Sequence, residues 1–204
     1  MAYLVLIRHG ESIWNAKALW TGLVDVDLSS RGKEEATEAG KSIKDYNFQV
    51  AFTSKLKRAR QTLDEILKVL NILHIPIYES AALNERDYGD FTGKNKWDLQ
   101  KEYGNEQFLK WRRGWDENIP NGETLKDVYN RVIPYYQENI APKLIAGKNV
   151  LVSAHGNSLR ALIKYLEGIA NKDIPHFEME TGAVFLYDVN GEGKIVSREV
   201  RSTN

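Results

Sequence analysis

The chain has 204 residues, 42% of them apolar and 27% charged, with 28 basic residues against 28 acidic ones and no cysteine. This length suits one domain with a full core. The balanced charge gives no sign of a nucleic-acid or membrane surface, yet it allows a local arginine cluster around a small anion. Without cysteine, disulfides, thiol nucleophiles and thiolate zinc sites are excluded.

The chain opens on an apolar run at residues 3–7 (YLVLI). It is too short for a signal peptide and has no basic leader. No run reaches the about 20 residues that a membrane helix needs. A cytoplasmic protein without nucleic-acid or membrane partners is therefore expected. The run reads as a strand buried on both faces. Ser29 or Ser30 then caps a helix over 33–43. A second strand follows at 48–53. Ser54 is expected to cap a helix over 55–70, with Leu56, Ala59, Leu63, Ile66, Leu67 and Leu70 on one face. A third strand at 75–78 carries Pro76 and so belongs at a strand start or a sheet edge. Residues 84–122 are less periodic, with short helices near 96–103 and 105–112. A long helix over 123–145 should kink at Pro134 and end at Pro142. A fourth buried strand is read at 150–154, then a helix over 158–166 with Gly168 beyond its end. Strands at 184–189 and 195–200, joined by a loop opening with Asn190-Gly191, suggest an antiparallel hairpin at one edge. The alternation predicts an α/β fold: one domain over 1–204 with a mainly parallel sheet covered on both faces.

Two segments echo each other. The strand at 3–7 runs into Arg8-His9-Gly10, and the strand at 150–154 runs into His155-Gly156-Asn157. Ligands of open α/β sheets bind beyond the carboxyl ends of the strands. A glycine after each histidine lets backbone approach a ligand, and the second pair opens a helix whose N–H groups suit an anion. The plain alternative is two unrelated loop histidines. Arg8, Arg58, Arg86, Arg112 and Arg113 fall near strand ends or loops and could together bind a doubly charged small molecule. Arg31 and Arg131 are assigned to the surface. Glu85 could exchange a proton with a substrate hydroxyl, or could simply pair with Arg86 or Lys94. A metal site is not expected, because His9, His74, His155 and His176 lack close ligand spacing. His74 and His176 are read as structural.

The strings LVLIRHGESIWN, TGLVDVDLSSRG, TSKLKRARQTL, LNERDYG, YGNEQFLKWRRG and AHGNSLRALIKYL resemble the cofactor-dependent phosphoglycerate mutases of the histidine phosphatase superfamily, over nearly the whole chain. RHG marks only the superfamily; the later strings mark the mutase branch. The resemblance implies a three-layer α/β/α sandwich, interconversion of 3- and 2-phosphoglycerate, 2,3-bisphosphoglycerate as priming cofactor, and no metal. It makes His9 the phosphorylated residue, Glu85 the proton donor and acceptor, and His155 the second histidine at the phosphoryl group. Arg8, Arg58, Ser12 and Asn15 match groups around the phosphate. Thr21, Gly22, Tyr88, Lys96, Arg112, Arg113, Asn157 and the backbone of Gly156 match substrate contacts. The chain departs from the pattern in three places. Residues 115–122 replace a longer segment, the chain stops at Asn204 without the long tail of many members, and Asp87 stands where a histidine is common. The first two predict an open site in which water competes for the phosphohistidine. They keep alive a second reading, a phosphatase of the same superfamily acting on a small phosphorylated metabolite. A silent phospholigand-binding domain is a third class, disfavoured because His9, Glu85 and the arginines are all present. Edge strands and exposed aromatics could serve a homo-oligomer, and nothing in the sequence selects one.

Overall fold

The computed structural model describes residues 1–201; the chain end noted above lies outside them. Its centre is a six-stranded sheet formed by β1 (Ala2–Arg8), β2 (Val50–Thr53), β3 (Ile77–Glu79), β4 (Val150–Ala154), β5 (Val184–Val189) and β6 (Ile195–Arg201), in the order β3-β2-β4-β1-β5-β6. The pairs β3–β2, β2–β4 and β4–β1 are parallel, whereas β5 runs antiparallel to both β1 and β6. β3 is an edge strand, and Pro76 falls just before it, as expected of a residue with no N–H to donate.

Successive strand side chains point to opposite faces, and here both faces are covered. Leu4 and Leu6 of β1 join Phe52, Val150 and Val152 against α6 (Leu125–Tyr135), α7 (Ala141–Ile145) and α8 (Gly156–Glu167). Val5 and Ile7 join Ala51 and Leu151 against α2 (Ser30–Ser42) and α3 (Lys57–Val69). That is the three-layer α/β/α sandwich, and each such side chain contributes about 1.5–3 kcal/mol by its burial. A third, smaller cluster of Trp20, Phe91, Leu99, Phe108 and Ile119 lies under α4 (Lys96–Tyr103) and α5 (Asn105–Arg113). A short α1 (Ile13–Ala16) follows β1.

Three expectations need correction. Ser54 is not the N-cap of α3, which is Leu56; its hydroxyl accepts from the Leu56 amide and also meets His155. The long helix does not end at Pro142. It passes from α6 into a π turn at Tyr136–Ile140, and Pro142 stands in the first turn of α7, where its missing N–H is harmless. Arg131 does not lie free on the surface. It donates to the carbonyls of Ala82 (2.7 Å), Asn84 (3.0 Å) and Glu85 (3.0 Å) and pairs with Glu123 at 2.9 Å.

Candidate active site

The echo in the sequence is a product of sheet register. β1 and β4 are parallel neighbours with Arg8 opposite Ala154, so the next residue of each strand is a histidine. The His9 amide donates to the Ala154 carbonyl at 2.9 Å, and the two imidazoles stand edge to face with centroids 4.9 Å apart. Gly10 is required here: a Cβ on it would lie 2.1 Å from the Gly32 carbonyl oxygen at the start of α2.

His9 is buried, and its Nδ1 lies 2.6 Å from the Gly10 carbonyl oxygen. A carbonyl only accepts, so Nδ1 carries the proton and Nε2 keeps a lone pair. Burial, then the charges of Arg58 and Arg8, hold the imidazole well below its ordinary range; it is neutral at pH 7. His155 is fully buried and likewise held down by burial and by Arg58. The Ser54 hydroxyl accepts from the Leu56 amide (3.1 Å) and lies 2.7 Å from His155 Nε2. With the hydroxyl donating a hydrogen bond to Nε2, the ring proton is on Nδ1, which among the described residues is buried without a partner.

Glu85 sits opposite the start of α8. Its Oε1 accepts from the amides of Arg86 (2.8 Å) and Asn157 (3.2 Å) and from Asn157 Nδ2 (3.0 Å). Burial pushes this carboxyl up, but those hydrogen bonds and the charges of Arg58 and Arg8 pull harder, leaving it below the usual range and ionised. Among the described residues Oε2 takes no hydrogen bond. The sequence alternatives for Glu85, ion pairs with Arg86 or Lys94, do not form among the described residues.

Two connected hollows share Arg8, Glu85, Tyr88 and Lys96. The inner one adds His9, Asn15, Thr21 and Arg58. Arg58 is buried, with guanidinium donors fixed on the Gly22 and Val24 carbonyls at 2.8 and 2.9 Å. Ser12 caps α1 and bonds Asn15, so it positions that residue rather than lining the hollow. Gly22 has φ +52, and its carbonyl holds Arg58. The outer hollow adds Trp20, Arg112, Arg113, Gly156, Asn157 and Arg160, with 177–179 at its rim. The Asn157 amide also donates to the Tyr88 hydroxyl at 2.8 Å. Burial, then Arg112 and Arg8, press the Lys96 ammonium down to about 8. His74 and His176 are exposed and line neither hollow.

Several residues at the site were not assigned to it from the sequence, Trp20 and Phe177 among them. Ser54 orients His155. Buried Arg160 donates to the Phe177, Arg113 and Ile174 carbonyls and to Asn157 Oδ1, tying α5 and the 174–177 segment to α8. An arginine inside an otherwise apolar helical face was the available signal. Glu178 and Met179 gave none. Arg86, expected in the anion-binding arginine cluster, lines neither hollow: it is fully buried, stacks 4.7 Å over Tyr88 and donates to the Trp111 carbonyl. Asp87 caps its own turn, accepting from the Gly89 amide at 2.9 Å. The short 115–122 passage packs on that turn, with the Asp90 amide on the Pro120 carbonyl at 3.0 Å and Ile119 buried.

The chain is similar to known proteins both in sequence and in fold. A protein from Cytophaga hutchinsonii named "2,3-bisphosphoglycerate-dependent phosphoglycerate mutase" is 50% identical over 192 residues, covering 94% of this chain and 90% of its own. One of the same name from Chelativorans sp. is 48% identical over 199 residues, 97% of each chain. A third, from Staphylococcus carnosus, is 44% identical over an alignment of 225 positions covering 97% of this chain and 99% of its own, so it carries an added segment that the Chelativorans protein lacks. In fold, the chain superposes on a mycobacterial glucosyl-3-phosphoglycerate phosphatase with TM-score 0.83 at 20% identity, covering 99% and 98% of the two chains. It superposes on the alpha-ribazole phosphatase from Shigella flexneri with TM-score 0.81 at 28% identity, covering 98% and 96%. Residues 4–200 match the family described as histidine phosphatase superfamily (branch 1), and the chain belongs to that superfamily.

Proposed function

We propose that this chain is a 2,3-bisphosphoglycerate-dependent phosphoglycerate mutase, an isomerase of glycolysis and gluconeogenesis that works in the cytoplasm. The observation that carries the reading is the double hollow. The inner part suits a phosphoryl group between His9, Arg8 and Arg58, and the outer part offers Lys96, Arg112 and Arg113 to a second anionic group of the same small molecule. The names of relatives 44–50% identical over nearly the whole chain support it.

The chain's own groups suit each step. Neutral His9 presents Nε2 as an in-line nucleophile. Arg8 and Arg58 offset the charge on the equatorial oxygens, and charge stabilisation with positioning supplies most of the rate in phosphoryl transfer. His155 Nδ1–H donates to an oxygen of the same group. Ionised Glu85 takes the proton of the substrate hydroxyl that attacks phospho-His9 and returns it in the reverse half-reaction. Ser12 holds Asn15 and the Gly22 carbonyl holds Arg58; Thr21, Tyr88, Gly156 and Asn157 shape the wall. The buried donors Arg8 Nε and His155 Nδ1, unpartnered among the described residues, fit a phosphate dianion, so Arg8, Arg58 and His155 would hold one phosphate of 2,3-bisphosphoglycerate and Arg112 and Arg113 the other. That molecule supplies the phosphoryl group that primes His9. No step calls on a metal.

The short 115–122 passage does not by itself turn the site toward hydrolysis, since relatives as compact as this chain carry the mutase name. A phosphatase remains the second reading, favoured by the half-exposed mouth, where Arg112 is 32% and Arg113 28% accessible. The test supplies 3-phosphoglycerate in EDTA, with and without trace 2,3-bisphosphoglycerate, and follows 2-phosphoglycerate and free phosphate together. Bisphosphate-dependent isomerisation is expected; phosphate release with little isomerisation would replace the mutase by the phosphatase.

A further inference from the structure

The outer hollow already contains a carboxylate. Glu178 Oε1 lies 3.2 Å from Arg112 Nη2, while Oε2 takes Arg113 Nη2. One carboxylate thus spans both guanidinium groups, as the carboxylate or phosphate of a ligand would. We infer that Glu178 is an internal stand-in for the substrate's second anionic group and so a specificity-determining residue: it yields to ligands that bring such a group and stays in place for those that do not.

The surroundings support an exchange by side-chain rotation alone. On one side of Glu178, the Phe177 carbonyl is held by Arg160 Nε at 3.1 Å; on the other, the Met179 carbonyl is held by Arg8 Nη1. The backbone is therefore pinned at both flanks, and Met179 is buried beneath it. The Glu178 side chain itself is 45% exposed, so water receives its carboxylate when it swings out. Such partly exposed ion pairs are weak, and a fully charged ligand anion can displace one. In the inner hollow no carboxylate is bonded to Arg8 or Arg58 among the described residues. Its Arg8 Nε is buried without a partner among the described residues. The two hollows differ in selectivity as a result. The inner one accepts any phosphate monoester, and the outer one demands an anion strong enough to replace Glu178. With Glu178 paired, the Arg112–Arg113 pair also attracts stray monoanions less.

This inference rests on the mutase reading only for the choice of probe. The test compares 3-phosphoglycerate with glycerol 3-phosphate, which carries a phosphate but no carboxylate. Binding is measured by calorimetry on wild type and on Glu178→Gln, which keeps the shape and removes the charge. Affinity for 3-phosphoglycerate should rise about two- to fivefold in the variant, the scale of one weak ion pair, while affinity for glycerol 3-phosphate changes less than about 1.5-fold. In turnover the gain should fall on KM and not on kcat. Glu178→Asp, which keeps the charge but is one methylene shorter on the pinned backbone, should fall between wild type and Glu178→Gln. Equal gains for both ligands would mean a general loss of negative charge, and an unchanged or weakened affinity for 3-phosphoglycerate would mean that Glu178 aids binding; either overturns the inference, as does failure of 3-phosphoglycerate to bind either form. A wild type that binds with the predicted contrast but does not isomerise would leave Glu178's role standing and remove the mutase.

Discussion

His9 and His155 stand at the ends of strands buried along nearly their whole length, between two helical layers. Lys96, Arg112 and Arg113 stand on helices of eight and nine residues that reach the rest of the molecule through a five-residue apolar cluster. The first region is positioned by backbone register, in which a one-residue slip would turn every side chain to the wrong face. The second is positioned by buried guanidinium groups holding carbonyls, Arg86 on Trp111 and Arg160 on Arg113. Chemistry that tolerates little displacement is carried by the sheet, and recognition by the more weakly anchored cover.

The sharpest test of that division is removal of the nucleophile. His9→Ala should lower turnover by about 10⁴-fold or more without unfolding the protein, and residual isomerisation near wild type would end the phosphohistidine mechanism. Glu85→Gln should lower kcat by about 10²- to 10⁴-fold, yet acid-labile label should still appear on His9 after exposure to a phosphoryl donor; an unimpaired kcat would make Glu85 a structural residue. In the cover, Phe108→Ala should destabilise by about 3–5 kcal/mol if both regions unfold together. If instead α4 and α5 open alone, amide exchange there rises while the denaturant midpoint stays put, and the two regions are separable units.

The regions should also titrate on opposite sides of neutrality. Both histidines have folded-state values below 6.5. Below that pH the unfolded chain binds protons that the folded chain refuses, so stability falls with pH by up to about 1.4 kcal/mol per unit for each. Urea midpoints between pH 7.5 and 5.5 check this, and His155→Gln should flatten the slope. In the cover, Lys96 titrates at about 8. Anion binding favours its charged form, so affinity for a phosphorylated ligand should weaken above that pH, by less than about tenfold per unit. Lys96→Met should remove the trend; its survival in that variant would assign the titration elsewhere.

The sheet was legible in the sequence because its strands are apolar on both faces, so residues 3–7 and 150–154 announce themselves with a histidine after each. The helices of the cover were placed well, but their anchoring was not. An arginine held by backbone carbonyls looks, in sequence, like any charged residue; Arg131 was misplaced for that reason, and Arg160 was overlooked. Ser54 read as a cap because serine before a helix commonly is one, and only the neighbouring strand reveals His155 as its partner. The π turn at Tyr136–Ile140 has no periodic mark that separates it from a kinked helix. Glu178 lies in a segment without periodicity, and its link to Arg112 and Arg113, more than sixty positions earlier, exists only in the folded chain.

The strand order carries a consequence for how the protein is made. β1 is synthesised first, yet both of its neighbours, β4 and β5, come from beyond residue 149. Closing that loop is slow compared with forming the helices. A nascent chain therefore displays its nucleophile early and acquires the second imidazole only when most of the polypeptide has left the ribosome. No truncated product of translation should transfer a phosphoryl group, and the catalytic pair is assembled among the last long-range contacts of folding.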